Sequence, residues 1–288
     1  MGRRNRARPR RRTPSIQEVW ASNFDHEILR LERCLQANHI LSIDTEFPGC
    51  IRSTPWGSID ERVYEDLRFN VNQTKLIQLG LTASDESGQV VGSWEFNFSD
   101  FDHQIDTQNP SSISFLEQNG LDFAKLKKQG IPLSLFTLNF SRIIRRSRVR
   151  KWVTFHGLYD IGYLVKAMGV AEELPESMEE FAEMVARGVG VVRDLKEVAR
   201  WCEGLEQGRV GLERLGELLG EKRFGMKHHA GSDSLLTAFV HAKMARWFRL
   251  ESGAYDGHLY GLQNKLEHMK VNQTIMFGQI SCSLWDYE

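Results

Sequence analysis

A chain of 288 residues, 41% hydrophobic and 26% charged, has the composition of an ordinary folded protein, with room for one large domain or two small ones. That composition excludes a fibrous repeat and disorder throughout, and no run approaches the roughly 18 uninterrupted apolar residues of a membrane helix. A net charge of −1 argues at first against a nucleic-acid partner, but it is the sum of unlike parts. Residues 1–14 hold seven arginines and no acid. Without them, 30 basic residues face 38 acidic ones, a net of −8.

In chain order, the Arg/Pro segment 1–14 has little to bury and is expected to be disordered. It lacks the interleaved apolar residues of a mitochondrial presequence. A nuclear signal, a nonspecific RNA-binding arm and a tail without a specific role all remain open. From Ser15 to Ala37 the apolar residues Ile16, Val19, Trp20, Phe24, Ile28, Leu29, Leu31 and Leu35 recur near helical spacing and predict a helix. Residues 39–47 (HILSIDTEF) predict a strand stopped by Pro48-Gly49. KLIQLGLTA (75–83) and WEFNF (94–98) predict two more, joined through a turn at Asp85 to Gly88 into an antiparallel sheet. Helical patterns follow, then a buried strand KWVTF (151–155) entering a helix near Leu158. The remainder reads as mostly helical, with Ser232 as N-cap of a helix reaching about Leu250. Strands first, then a strand–helix unit and more helices, make one mixed α/β domain.

Cys34, Cys50, Cys202 and Cys282 form no C-x-x-C pair, which suits structural thiols in a reducing compartment. Four N-x-[ST] sequons (Asn72, Asn97, Asn139, Asn272) follow no signal peptide and read as chance matches. The expected location is cytoplasm and nucleus, with no membrane partner.

Four acids stand where acids are awkward. Asp44 and Glu46 interrupt an apolar strand, and its alternation turns both to one face. Asp160 follows the buried strand KWVTFH, and Asp233 opens the apolar helix DSLLTAFV. For Asp160 and Asp233 the bland alternative is helix capping; for Asp44 and Glu46 it is a strand with one wet face. Converging, the four would repel unless cations neutralised them. Two Mg²⁺ or Mn²⁺ ions would supply +4 against −4, and a metal pair of this kind serves phosphodiester cleavage. His228 and His229 lie five and four residues before Asp233, and a neutral imidazole can take a proton from attacking water.

The order D-x-E, D, H-x(4)-D resembles the DEDDh exonucleases of the RNase H-like fold. Longer strings are more specific: SIDTEFPG (42–49), KLIQLGLT (75–82), WEFNF (94–98), FHGLYDIGYLVK (155–166), HHAGSDSLLT (228–237) and GHLYGL (257–262) resemble the Caf/Pop deadenylase subunit of the CCR–NOT complex. The resemblance implies an RNase H-like mixed sheet flanked by helices, a single DEDDh domain over residues 15–265, with 1–14 as a tail and 266–288 as a C-terminal extension. It implies a 3′→5′ exoribonuclease that shortens poly(A) tails and releases 5′-AMP. Asp44, Glu46, Asp160 and Asp233 would then ligate two divalent cations, Mg²⁺ or Mn²⁺. The family's histidine stands five before the last acid, which selects His228 over His229 as general base. Partners implied are a single-stranded RNA 3′ end, the scaffold subunit and the second deadenylase of the complex. The alternatives are another DEDDh enzyme trimming small RNA or DNA ends, and a non-catalytic docking subunit.

The chain departs from the family pattern at Gly157-Leu158, where serine-glycine is common, and a glycine at 157 would ease a turn. Val189-Gly190 replaces a Phe-Pro step before Asp194 and Lys196, and Asp194 reads as a helix cap rather than a fifth carboxylate of the site. Phe47, Phe155 and Tyr159 neighbour the acids as candidates for base stacking or for packing. The run Arg142, Arg145, Arg146, Arg148, Arg150 and Lys151 could steer phosphates or be a solvated face.

Overall fold

The computed structural model describes residues 15–266, apart from 39, 148, 249, 251, 252 and 265. The expectations for the tail 1–14, for Arg148 and for the C-terminal extension after Leu266 lie outside the described residues.

The chain runs β1 (Ile16–Val19), α1 (Phe24–Leu35), β2 (Ile40–Glu46), α2 (Asp60–Gln73), β3 (Gln78–Ser84) and β4 (Val90–Asn97). Next come α3 (Pro110–Gln118), α4 (Phe123–Gln129), α5 (Leu133–Arg146), β5 (Lys151–Thr154), α6 (Leu158–Ala167) and α7 (Met178–Met184), which passes into a π turn at Val185–Val189. β6 (Val191–Asp194), α8 (Leu195–Ala199), α9 (Leu212–Leu218) and α10 (Ala230–Phe248) complete it. The sheet has six strands in the order β1-β4-β3-β2-β5-β6. β2, β3 and β4 pair antiparallel, as their alternating patterns predict, while β1, β5 and β6 join in parallel. Asp85 closes the β3–β4 turn by accepting from the backbone N–H of Ser87 and Gln89.

Three sequence expectations need correction. The helix predicted from Ser15 splits into an edge strand and α1. The Asn23 side chain breaks it, accepting from Trp20 N at 2.8 Å and donating to Glu18 O at 3.0 Å. The apolar spacing of Ile16 and Val19 suits either state, and pairing with β4 decides between them. β6, four residues inside a stretch read as helical, is a strand because it finds β5. Ser232 is no N-cap: α10 begins at Ala230, and the Ser232 hydroxyl donates to Phe224 O at 2.9 Å.

The two faces of the sheet differ. Leu41, Ile43, Leu79, Leu81, Trp94 and Phe96 pack into the main core with residues of α1, α2, α5, α6 and α7. Alternation sends Ser42, Asp44, Gln78, Gly80, Thr82, Ser93 and Glu95 to the opposite face. That polar face is covered, not wet: α10 lies across β2, β3 and β4. Thr82 Oγ1 reaches Ser93 Oγ at 2.9 Å and Ser234 Oγ of α10 at 3.0 Å. The approach is close because residue 80 is glycine. A Cβ there would stand 1.8 Å from Ala230 O.

Burial of His241 on α10, with Arg193 and Lys151 adding positive charge nearby, pushes its pKa down to about 3. The folded protein keeps this imidazole neutral, whereas the unfolded chain protonates it near 6.5. Its contribution is complete above pH 6.5 and is lost as pH falls toward 3, by up to about 1.4 kcal/mol per pH unit. In His241→Gln, the unfolding free energy between pH 6.5 and 4 should fall less steeply than in wild type; an unchanged slope in urea titrations would remove His241 from the acid limb.

Candidate metal centre

The site forms where the polar face of β2 meets the first turn of α10. Asp44 and Glu46 project from β2 with some access to solvent, and Asp233 comes down from α10. Carboxylate oxygens of these three lie within 4.8 Å of one another. Asp160, in the first turn of α6, stands just outside that trio and accepts from Thr45 Oγ1 at 2.6 Å and Thr154 Oγ1 at 2.8 Å. Asp160 does not cap α6, since its carboxylate accepts from the two threonines, whereas Asp233 both joins the trio and accepts the His228 backbone N–H ahead of α10. Three of the four acids therefore converge, with Asp160 beside them.

The electrostatics show what the cluster lacks. Crowding by protein atoms raises the Asp44 carboxyl well above its ordinary range, with Asp160, Asp233 and Glu46 adding repulsion. Glu46 is pushed up to about 8, first by burial and then by Asp233 and Asp160. Asp160 is raised to about 7 by burial, against the pull of its two threonine hydroxyls. Oxygen donors this close, held against their own ionisation, suit hard divalent cations such as Mg²⁺ or Mn²⁺. Asp44, Glu46 and Asp233 could hold such an ion, while both oxygens of Asp160 are taken up by its threonines.

Groups the sequence reading left aside complete the surroundings. The Arg223 guanidinium pairs with Asp233 Oδ1 and donates to Ser232 Oγ at 3.0 Å. Glu95 on β4 receives Gly231 N at 3.0 Å and faces the His229 ring, with Nδ1 at 3.6 Å from Oε1. His229 Nε2 meets Asn119 O at 2.9 Å, and Glu95 chiefly raises its pKa. His228 behaves differently. Its backbone, at φ 58°, directs its N–H to Asp233 Oδ2 at 3.2 Å, and its exposed ring lies edge-on to Phe115 with centroids 4.6 Å apart. No local spacing announces Arg223 or Glu95, which reach the site only through the fold.

Asp194 caps α8, accepting from Lys196 N at 3.0 Å, and does more. Fully buried, it also accepts from His156 N at 2.8 Å, Gly157 N at 3.1 Å and Tyr260 N at 3.0 Å, fixing the bend that delivers Asp160. The left-handed residue of that bend is His156, at φ 60°, not Gly157. Gly157 is required for closeness instead: a Cβ there would stand 1.9 Å from Thr154 Oγ1, the hydroxyl that holds Asp160. Phe47 stacks on Tyr159, centroids 5.2 Å apart, so these two rings are engaged with each other. Phe155 packs partly buried against the smaller core that includes Val153. In the basic run, Arg142, Arg145 and Arg146 lie exposed near the end of α5, and Lys151 Nζ pairs with Asp256 at 3.3 Å.

Residues 19–134 match the model of the CAF1 family ribonuclease. A protein of Arabidopsis thaliana described as "Putative CCR4-associated factor 1 homolog 8" is 46% identical over 221 residues, which cover 76% of this chain and 91% of that protein. The Mg²⁺- and Mn²⁺-bound structure of Pop2p from S. pombe superposes with a TM-score of 0.77 at 33% identity, over 87% of this chain and all of the other. Yeast CAF1, crystallised with the NOT1 MIF4G domain, gives a TM-score of 0.70 at 25% identity, over 85% of this chain and 96% of the match. The fold is the RNase H-like one of the DEDDh exonucleases.

Without cations, Glu46 and Asp160 keep protons in the folded protein up to about pH 8 and 7, while the unfolded chain releases them near 4.5 and 3.8. The stability tied to them is therefore full below about pH 4 and declines as pH rises through that window. Mg²⁺ or Mn²⁺ should raise the melting temperature more at pH 8 than at pH 6. Glu46→Gln should melt higher than wild type without cations at pH 8 and respond less to them; an undiminished response would exclude Glu46 as a ligand.

Proposed function

Because the chain belongs to the CAF1 ribonuclease family, we propose that it is a 3′→5′ exoribonuclease that shortens poly(A) tails and releases 5′-AMP. One observation carries this reading: Asp44, Glu46 and Asp233 meet within 4.8 Å of one another in an exonuclease fold, with the charge of Asp160 felt at Asp44. They are assigned as ligands of two divalent cations. When bound, these supply Lewis acidity to the phosphate and lower the pKa of water.

The protein's own groups divide the remaining work. Asp44 and Glu46 form the rigid floor of the site, held by pairing of β2 with β3 along its whole length. His228 is the general base. Its ring faces solvent at the lip of the site, while its backbone N–H ties it to Asp233. His229 is engaged through both ring nitrogens with Glu95 and Asn119, and therefore serves to hold Glu95 and the start of α10. Asp194 positions Asp160 through the 156–157 bend. Preference for adenine follows the family and not any single contact in the site.

The CCR4-associated relative and the NOT1-bound neighbour support assembly of this chain with a scaffold subunit and a second deadenylase. A body with a net charge of −8 draws little RNA from a distance, so such partners would also help deliver the substrate.

Incubation with Mg²⁺ or Mn²⁺ and 5′-labelled RNAs ending in oligo(A), oligo(U) or oligo(C), beside a DNA control, tests the reading. A ladder that stops at the first non-A residue is expected. Equal decay of every end would mark a general trimming enzyme, and no decay a docking subunit. Asp44→Ala should fall to background. His228→Ala should lose about 10²- to 10⁴-fold in kcat, and far more than His229→Ala; the reverse ranking would move the base to His229.

A further inference from the structure

The motif D-x-E, D, H-x(4)-D does not include Arg223, which lies ten residues before Asp233 in the loop between α9 and α10. Its side chain is only 11% exposed, an unusual place for a cation unless something there requires one. The guanidinium pairs with Asp233 and with the Ser232 hydroxyl, and its charge is felt by Asp44, where it opposes the repulsion of the other acids. Its Nε is buried without a hydrogen-bond partner; the nearest acid oxygen on that side, Glu213 Oε2, is 3.9 Å away. The planar fork of donors is therefore only partly used.

We propose that Arg223 holds the phosphate of the bond to be cut, an inference that rests on the nuclease reading above. Two divalent cations would cancel the four carboxylates, but buried Glu95, whose charge is felt at Glu46, leaves negative charge beside them. Arg223 offsets it and so removes repulsion that a phosphodiester would otherwise meet. Once Asp233 shares its charge with a cation, its hold on Arg223 weakens, and the guanidinium is free to turn donors to the phosphate oxygens. Arginine suits this because its fork presents two parallel N–H groups to a phosphate, which the point charge of lysine does not. Before loading, the same arginine takes the place of part of the missing positive charge, so it competes with the cations for Asp233.

The two roles have opposite signatures. In Arg223→Gln, Mn²⁺ binding without RNA, followed by electron paramagnetic resonance, should tighten several-fold, while kcat/KM for oligo(A) falls by about a hundredfold. Arg223→Lys should keep Mn²⁺ affinity near the wild-type value and still lose about tenfold in kcat/KM, which decides the matter if the glutamine variant does not fold. Parallel loss of Mn²⁺ binding and cleavage in Arg223→Gln would make the arginine a mere support for Asp233 and overturn the inference. So would wild-type cleavage in Arg223→Lys. A wild-type protein that binds Mn²⁺ but cuts no RNA would sink the nuclease reading, and this inference with it; an active wild type beside an equally active Arg223→Gln would sink the inference alone.

Discussion

The first turn of α10 lies directly on the backbone of β3 at Gly80, and the rest of the site depends on that contact. In register, Asp44 of β2 and Glu95 of β4 stand on either side of Gly80. Only a residue without a Cβ lets Ala230 and Gly231 come down between them. The descent brings Asp233 to Asp44 and Glu46, and lets Glu95 take the Gly231 N–H. Gly157 does the same service on the other side, bringing the start of α6 against Thr154 and with it Asp160. Two glycines thus close the sheet and its helices around four carboxylates.

That closeness has an electrostatic cost, and the surrounding structure is arranged to meet part of it. Asp160 is held by two hydroxyls, Asp233 by Arg223, and Glu95 by Gln78, Gly231 N and the His229 ring. Asp44 and Glu46, which retain contact with solvent, receive the least compensation, and their raised pKa values record the deficit. A fold that concentrates carboxylate repulsion at one place offers divalent cations a set of oxygen donors there. The apolar core on the opposite face of the sheet, with Trp94, Phe96, Phe136 and Phe140 at its centre, keeps β2 rigid against the strain.

The strands were legible where apolar runs were bounded by turn residues or led into a helix. β2, β3, β4 and β5 follow apolar runs bounded by turn residues, and the Asp85 turn announces its hairpin. β1 and β6 were not: each has two apolar residues in four and lies in a stretch of helix-like spacing, so the choice lies with a neighbour distant in sequence. Ser232 illustrates the same limit. As a helix N-cap it is a good local choice, but packing on Gly80 extends the helix past it, and its hydroxyl serves Phe224 O and Arg223 instead.

The sequence by itself determined which acids are chemically out of place, because a carboxylate inside an apolar strand or at the head of an apolar helix shows in local pattern alone. It also determined the family, through blocks of residues in a set order. Tertiary structure alone decided that Asp194 reaches four backbone N–H groups, that His229 turns inward to Glu95 while His228 stays at the lip, and that Arg223 sits on Asp233. These are contacts across space between segments with no shared period. The net charge near zero is a sum over the whole chain, whereas the field at the site is set by the few charges within several ångströms of it. Which charges those are is a property of the fold.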